Sequence, residues 1–246
     1  MYSIEKLLLK GLNVMPVRSK VPVYKGWTRR MFNLNDFAGD YNQIGLLTGG
    51  TLEVIDIDNN SDKTEEMLVD LMRVPSVVHR TLSGGYHLIY RCSGIQGNRK
   101  LARLNSGLTI IETRGAGGYI VIPPSEGYDV IRGTLYDIPL ISESQRNRLF
   151  SIARSYNQYI PPELPRYEIS DEQDYEMAYR ALLMAGWREA GRNKLRRPGK
   201  EYGCSATWGY TPKPFIFYVF SSSAHPFESN RAYCPSQILR LLGNTK

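Results

Sequence analysis

The sequence predicts a fold that mixes helices and strands, with acidic side chains at the ends of strands. Some segments carry apolar residues at helical spacing, whereas others alternate or run continuously apolar, as strands do. Glycine pairs and prolines separate these segments and mark the turns between them. With 246 residues, of which 42% are hydrophobic, the chain is long enough for one domain of ordinary size and a small appendage.

Charge, cysteine content and hydrophobic pattern limit the partners and the cellular location that we expect for this protein. The net charge of +7 favours a polyanionic partner. Cys92, Cys204 and Cys234 are few and far apart, which is typical of a reducing compartment without structural disulfides. No apolar run approaches the roughly 20 residues of a membrane span. No secretory leader opens the sequence either, so we expect a cytoplasmic protein.

The N-terminal part of the chain predicts a helix, a strand and a basic loop. Residues 3–10 form the helix, which Gly11 ends, and residues 12–17 form a short strand. The loop that follows mixes basic and aromatic side chains, namely Lys20, Lys25, Trp27, Arg29 and Arg30. These side chains could meet phosphate and base, or they could simply form a surface loop. Lys25 is the candidate for contact with a nucleotide phosphate.

The stretch 47–60 contains a glycine turn, an apolar strand and two carboxylates. Because the side chains of a strand alternate between its faces, Asp56 and Asp58 project to the same side. Two like charges side by side repel each other and are costly to desolvate. A hard divalent ion would offset that cost, and the alternative is that both acids lie in solvent at the end of the strand.

Further strands bring polar side chains beside glycines. The pattern predicts a helix and then four strands, at residues 61–73, 77–81, 86–90, 108–114 and 119–122. Gly84 and Gly85 form a hairpin turn whose backbone N–H groups are unobstructed beside His87. Glu112 lies near the end of its strand, also beside glycines.

If these strands are neighbours, Asp56, Asp58 and Glu112 converge on one face with His87 at their edge. Such an oxygen-rich site suits one or two Mg²⁺ or Mn²⁺ ions. Two such ions can activate a primer 3′-hydroxyl and stabilise the pyrophosphate leaving group. Arg114 lies two residues after Glu112 and faces the same side, where it could pair with a triphosphate or with a core carboxylate.

Together these motifs resemble the archaeo-eukaryotic primase superfamily, in particular the primase-polymerase branch of viral and plasmid replication proteins. The resemblance runs from about Lys25 to Ser125. It rests on the order and spacing of five motifs: Leu46-Leu47-Thr48-Gly49, Val54-Ile55-Asp56-Ile57-Asp58, Ser83-Gly84-Gly85-Tyr86-His87, Glu112-Thr113-Arg114-Gly115-Ala116-Gly117-Gly118-Tyr119 and Pro123-Pro124-Ser125. It implies an α/β (α+β) fold, with a curved antiparallel or mixed sheet related to the RNA-recognition fold and helices on its outer face.

The resemblance also implies roles for individual residues. Asp56, Asp58 and Glu112 would ligate the catalytic metal ions. His87 would contact the phosphates of the incoming nucleotide. Glu112 stands where many relatives have Asp, and because both are oxygen ligands the chemistry is preserved.

The glycine turn before His87 departs from the family pattern. Relatives often have a serine two residues before the histidine, and this chain has Gly85 there. The nearest serine is Ser83, so we expect Ser83 and the backbone of Gly84 and Gly85 to lie near the phosphates.

The rest of the chain predicts a second, smaller module. We predict a primase-polymerase catalytic core at residues 1–160, a proline-rich linker at 161–170 and a small basic accessory module at 171–246. The pattern within that module predicts a helix and two strands, at 171–190, 205–208 and 215–220. Four clustered Cys and His ligands do not occur, so no zinc site is expected.

The accessory module resembles one that often follows the primase core in phage replication proteins, where helicase-type ATPase regions commonly come next. This sequence has no Gly-x-x-x-x-Gly-Lys-Ser/Thr loop and hence no motor of its own. The basic residues Arg196, Arg197 and Lys200 could bind single-stranded template, with Trp208 and Tyr210 as stacking surfaces. Alternatively, the basic residues form a solvated loop and the aromatic residues fill a small core.

We therefore predict a template-dependent nucleotidyltransferase, a primase or DNA polymerase of replication. It would use Mg²⁺ or Mn²⁺, nucleoside triphosphates and a single-stranded DNA template, in a bacterial or archaeal host and encoded by a phage or plasmid. A replicative helicase, on another chain or in a longer parent protein, is an expected partner. Two rival hypotheses are a metal-dependent nuclease with His87 as base and a non-catalytic nucleic-acid-binding module.

Overall fold

The computed structural model describes residues 2–164, 172–210, 216–221 and 223–243. The chain forms two compact units, Met1–Tyr159 and Ile160–Lys246, called the first and the second unit below. Most of the segment predicted as a linker, residues 165–170, lies outside the described residues. No helix in the described ranges has both the length and the apolar character that crossing a bilayer requires.

The first unit is built from short helices and antiparallel strands. Its helices are α1 (Ile4–Leu9), α2 (Thr64–Leu71) and α3 (Glu143–Ser155). Its strands are β1 (Val14–Arg18), β2 (Val21–Pro22), β3 (Gln43–Leu47), β4 (Leu52–Ile57), β5 (Val77–Arg80), β6 (Tyr86–Arg91), β7 (Arg99–Arg103), β8 (Thr109–Arg114), β9 (Tyr119–Ile122) and β10 (Asp129–Arg132). The helices and strands predicted from the sequence all occur, with ends shifted by a few residues.

Two antiparallel sheets form the body of the first unit. Four strands pair in the order β2-β1-β3-β9, and six pair in the order β10-β5-β6-β4-β8-β7. An apolar core fills the space between the sheets and includes Ile44, Leu46, Val54, Ile89 and Ile120. The mixed α+β class and the curled antiparallel sheet implied by the resemblance are thereby confirmed.

Helices α2 and α3 pack on the other face of the six-stranded sheet. Their buried residues, such as Leu71 and Leu149, contact Ile55 and Ile57 of β4 in one cluster. Helix α3 begins with a capping box, in which Ser142 and Gln145 satisfy each other's backbone N–H groups. The predicted position of the helices on the outer face of the sheet is therefore confirmed.

Strand β4 has two chemically different faces because its side chains alternate. Ile55 and Ile57 point towards the helices, whereas Leu52 and Val54 point into the core between the sheets. Asp56 follows Val54 on this inner face. The inner face therefore changes from apolar to acidic at the end of the strand, where the predicted site residues Asp56 and Asp58 lie.

The second unit contains a five-stranded antiparallel sheet and two helices. Its elements are α4 (Glu172–Met184), β11 (Arg188–Glu189), β12 (Lys194–Arg196), β13 (Ala206–Trp208), β14 (Phe217–Val219), β15 (Arg231–Tyr233) and α5 (Pro235–Gly243), and the strands pair in chain order. The predicted helix at 171–190 is too long. It ends at Met184 because Gly186 takes a positive φ of 86°, and the chain then enters β11.

The prediction that Trp208 offers a stacking surface to nucleic acid is wrong. Trp208 is buried and stacks between Tyr175 and Tyr179 of α4, with ring centroids 4.6 Å and 5.4 Å away. It belongs to the core of the second unit, as the alternative hypothesis held. Tyr210, by contrast, is 78% exposed.

A buried ion pair fastens α3 to the sheet. Glu53 of β4 is fully buried and accepts hydrogen bonds from Arg146 of α3, at 2.5 Å and 2.8 Å, and from the hydroxyl of Tyr90 at 2.7 Å. Removal of one partner would leave a buried charge without compensation, which is strongly destabilising.

We therefore expect Arg146→Ala to lower the free energy of unfolding by about 3 kcal/mol or more, measured by urea denaturation. Arg148→Ala is the matched control, because Arg148 lies in the same helix and is exposed. The control should change stability by less than about 0.5 kcal/mol. Equal losses in the two variants would contradict a special role for the pair with Glu53.

Candidate active site

Strand pairing brings the predicted polar residues together. On β4, Asp56 lies directly opposite His87 of β6 on one side and opposite Glu112 of β8 on the other. Residues that are directly opposed in an antiparallel pair point to the same face, so the three side chains converge. Asp58 follows just beyond the strand, two residues after Asp56, and projects to the same side.

A cavity of about 270 Å³ opens at this cluster. Five of the predicted site residues line it: Asp56, Asp58, Ser83, His87 and Arg114. Glu112 lies behind them and is 8% exposed. Lys20, one of the basic loop residues named above, also lines the cavity. The cavity has further lining residues that were not predicted as site residues, namely Thr81, Tyr119, Ile120, Val121 and Tyr128. Lys25 is exposed and does not line the cavity.

Arg114 pairs with carboxylates in this structure. Its Nε donates to Asp56 Oδ2 at 3.1 Å, and its Nη2 forms an ion pair with Glu112. Burial opposes the charge on the guanidinium, but the neighbouring Glu112 and Asp56 outweigh burial and raise the pKa of Arg114. Arg114 was predicted to pair with a triphosphate or with a core carboxylate, and in this structure it pairs with the carboxylates of Asp56 and Glu112.

Asp58 has an unusual electrostatic environment. Burial, together with the charges of Asp56 and Glu112, raises the pKa of Asp58 from 3.8 to about 7, although Arg114 and Lys20 act in the opposite direction. The ion pairs of the cluster involve Asp56 and Glu112, and Asp58 forms none with the described residues. Burial and the acidic neighbours therefore disfavour the ionised form of Asp58 more than Arg114 and Lys20 favour it.

His87 is a buried imidazole beside Asp56. Its Nε2 lies 3.5 Å from Asp56 Oδ1, and its ring is stacked near that of Tyr128, with centroids 6.3 Å apart. Burial lowers the pKa of His87 despite the neighbouring carboxylate, so the ring is neutral at pH 7. Its buried Nδ1 has no hydrogen-bond partner among the described residues. A role towards phosphate would therefore be that of a neutral hydrogen-bond donor.

The glycine turn before His87 requires glycine for steric reasons. A Cβ on Gly85 would lie 2.2 Å from the carbonyl oxygen of Ile57, so a serine does not fit there. Ser83 lines the cavity instead, with its hydroxyl 3.2 Å from that of Thr81. Asn59 donates from its side chain to the Ser83 carbonyl at 3.1 Å and so fastens the turn to the end of β4.

Lys20 reaches the cavity because of a tight hairpin turn. Ser19 and Lys20 connect β1 to β2 with positive φ values of 49° and 62°, as a two-residue hairpin turn of this type requires. The backbone N–H of Lys20 donates to the Gln43 side chain at 2.7 Å, and Tyr119 Oη donates to the Lys20 carbonyl at 2.5 Å. These contacts hold the turn over the cavity.

The donor set fits a hard divalent cation by chemistry, because three carboxylates supply the oxygen ligands that such an ion prefers. Within the described ranges, however, no three His, Cys, Asp or Glu side chains are arranged so that they could hold a metal ion together. At this cluster, Arg114 occupies oxygens of Asp56 and Glu112 that a cation would need. A cation would therefore compete with Arg114 for these oxygens.

The raised pKa of Asp58 predicts a dependence of stability on pH. Ionised Asp58 destabilises the fold, and this cost grows as the pH rises from about 4 to 7, between the unfolded and folded pKa values. In the presence of a chelator we expect Asp58→Asn to raise the free energy of unfolding at pH 8 by on the order of 1 kcal/mol. The gain should shrink as the pH falls towards 4, as measured by denaturation at several pH values.

Asp129→Asn provides the control for this experiment, since Asp129 is exposed. It should show no such pH-dependent gain. A gain for Asp58→Asn that is the same at every pH would contradict the electrostatic explanation.

A comparison with protein families returned one match that bears on this site. The family model described as "Bifunctional DNA primase/polymerase, N-terminal" matches residues 5–140, more than half of the chain. All the residues that line the cavity, and Glu112 behind them, lie inside the matched segment. A comparison with curated proteins found no match.

Proposed function

This chain belongs to the bifunctional DNA primase/polymerase family, and we propose that the cavity between its two sheets is the active site of a template-dependent nucleotidyltransferase. Family membership supports a primase or polymerase role in DNA replication, with nucleic acid and nucleotides as substrates. The observation that carries the proposal is the convergence of Asp56, Asp58 and Glu112 on one face beside a cavity.

Members of this family generally use divalent metal ions. We assign Asp56, Asp58 and Glu112 as the residues that would hold Mg²⁺ or Mn²⁺. When bound, two such ions would activate a 3′-hydroxyl and stabilise the charge that develops on pyrophosphate. Arg114 would then exchange its carboxylate partners for an anionic partner in the cavity, and a nucleoside triphosphate supplies one.

The remaining cavity residues suit the triphosphate. Lys20 brings a positive charge, and Ser83 offers a hydroxyl, with the backbone of Gly85 nearby. The expectation that the backbone N–H of Gly84 is unobstructed is wrong, because it donates to the Thr81 carbonyl at 2.9 Å. Neutral His87 can donate one hydrogen bond to a phosphate oxygen. These groups would hold the nucleotide so that the 3′-hydroxyl attacks in line with the leaving group.

In that reaction, the 3′-oxygen forms a bond to the α-phosphorus while the bond from the α-phosphorus to the pyrophosphate oxygen breaks. The hydroxyl proton passes to solvent. During priming, the attacking hydroxyl belongs to a first nucleotide rather than to a strand.

We also propose that different parts of the chain have different roles. Residues 1–160 would form the catalytic core, which agrees with the boundary of the first unit at Tyr159. Residues 161–170 would act as a linker and residues 171–246 as an accessory module.

Primer extension tests the proposal. With a primed single-stranded template, nucleotides and Mn²⁺, we expect Asp56→Asn to reduce product formation on the order of a hundredfold or more, because a metal ligand is removed. The control is Asp62→Asn, which removes an exposed carboxylate outside the cavity. This variant should extend primers at the wild-type rate.

Two outcomes would overturn the assignment. Extension by Asp56→Asn at the wild-type rate would show that this carboxylate is not part of the catalytic site. Shortened template instead of extended primer would favour a nuclease, with water as the nucleophile.

Two lysines on either side of β2 allow a second, paired test. Lys20→Ala should raise the KM for the nucleotide about tenfold, because it removes one charged contact to phosphate. Lys25→Ala should leave the KM unchanged, since Lys25 lies outside the cavity. Steady-state kinetics with varied nucleotide concentration measure both values, and the reverse ranking would refute the role given to Lys20.

A further inference from the structure

The sheet of the second unit has one buried and one open face. Helices α4 and α5 share a hydrophobic cluster with Leu195, Phe217 and Val219 on the buried face. The strand register and the alternation of side chains define the opposite face. Its residues, called the open face below, are Arg188, Lys194, Arg196, Thr207, Tyr218 and Ala232.

The open face is positively charged. Three of its six residues are basic and none is acidic. Arg188 and Arg196 are direct cross-strand partners, an arrangement in which like charges repel each other. Arg188 and Lys194 are exposed and form no ion pair with any described residue. Glu189 lies on the other face, where it accepts a hydrogen bond from Tyr179.

The loop between β12 and β13 extends this charge. Arg196 Nε donates to the Gly203 carbonyl and Lys200 Nζ to the Cys204 carbonyl, both at 2.8 Å. Arg197 Nε is buried without a hydrogen-bond partner in the described part of the chain. Burial, and then the charges of Arg197 and Arg196, lower the pKa of Lys200. The loop therefore gathers three cations that an anion would stabilise.

An aromatic ring also lies on the open face, on β14, which β13 separates from the basic strand β12. Tyr218 of β14 is 39% exposed and lies between Thr207 and Ala232 in the adjacent strands. Both neighbours are small, so they leave the ring accessible to a planar group. Phe220, two residues further along, is equally exposed.

We propose that the open face binds single-stranded nucleic acid. Basic side chains on β11 and β12 and an accessible aromatic ring on β14 of the same face combine contact with phosphate and stacking with a base. Stacking on Tyr218 requires an unpaired base. Helices α4 and α5 lie on the opposite face of the sheet, so the open face has no helix that could enter the groove of a duplex. The proposal goes beyond nucleotidyl transfer in the first unit and does not depend on it.

The test measures binding of the full chain to a labelled oligothymidylate by fluorescence anisotropy, with a chelator and without nucleotides. Lys194→Glu should weaken binding about tenfold. It should also reduce the slope of log affinity against log salt by about 0.7 for each phosphate that is no longer neutralised. Arg240→Glu makes the same change of charge on exposed Arg240 of α5, in the helical layer, and should alter affinity less than about twofold.

The aromatic contribution is tested separately. Tyr218→Ala should weaken binding about tenfold, and Tyr218→Phe should restore it, because phenylalanine keeps the stacking surface. Unlabelled single strand should compete better than duplex of the same length. Circular dichroism and thermal melting establish that each variant is folded.

Several results would overturn the proposal. Equal weakening by Lys194→Glu and Arg240→Glu would show that only net charge matters. Unchanged affinity for Tyr218→Ala, or stronger competition by duplex, would exclude stacking of an unpaired base on this face. Asp56→Asn should bind the oligonucleotide normally, so a failure of the catalytic proposal is distinguishable from a failure of this one.

Discussion

The antiparallel pairing of β4 with β6 and β8 is the constraint on which the proposed active site depends. It places Asp56 between His87 and Glu112, each contributed by a different strand and each directed to the inner face of the sheet. On the same face, Val54 lies one pleat earlier and is fully buried in the core. A shift of one residue in the register would turn these acids towards the helices, where a charged group has no solvent and few partners.

The electrostatics of the cluster follow from this geometry. Three carboxylates share a partly buried site, and Arg114 neutralises part of their charge through Asp56 and Glu112. Asp58 is left with a pKa of about 7 because burial and its acidic neighbours disfavour its ionised form. Additional positive charge beside Asp58 would therefore favour its ionised form.

The sheet of the second unit carries its charged residues on an open face rather than in a cavity. One face of its sheet is sealed by α4 and α5, and Trp208 is stacked between two tyrosines of α4 in that core. The other face carries Arg188, Lys194 and Tyr218 without acidic neighbours on the strands. The first unit thus concentrates carboxylates in a cavity, whereas the second spreads cations over a surface.

The sequence by itself determined the strands of the first unit and the shared side of Asp56 and Asp58, because alternation with a period of two is a local property. It also indicated that Glu112 and His87 lie near strand ends beside glycines. Only the tertiary structure decided that Lys20 rather than Lys25 faces the cavity, because that depends on contacts with Gln43 and Tyr119, which are distant in the chain. The burial of Trp208 was likewise decided by α4, since a solvent-facing and a core-facing aromatic residue have the same local pattern when the packing partner is remote in sequence.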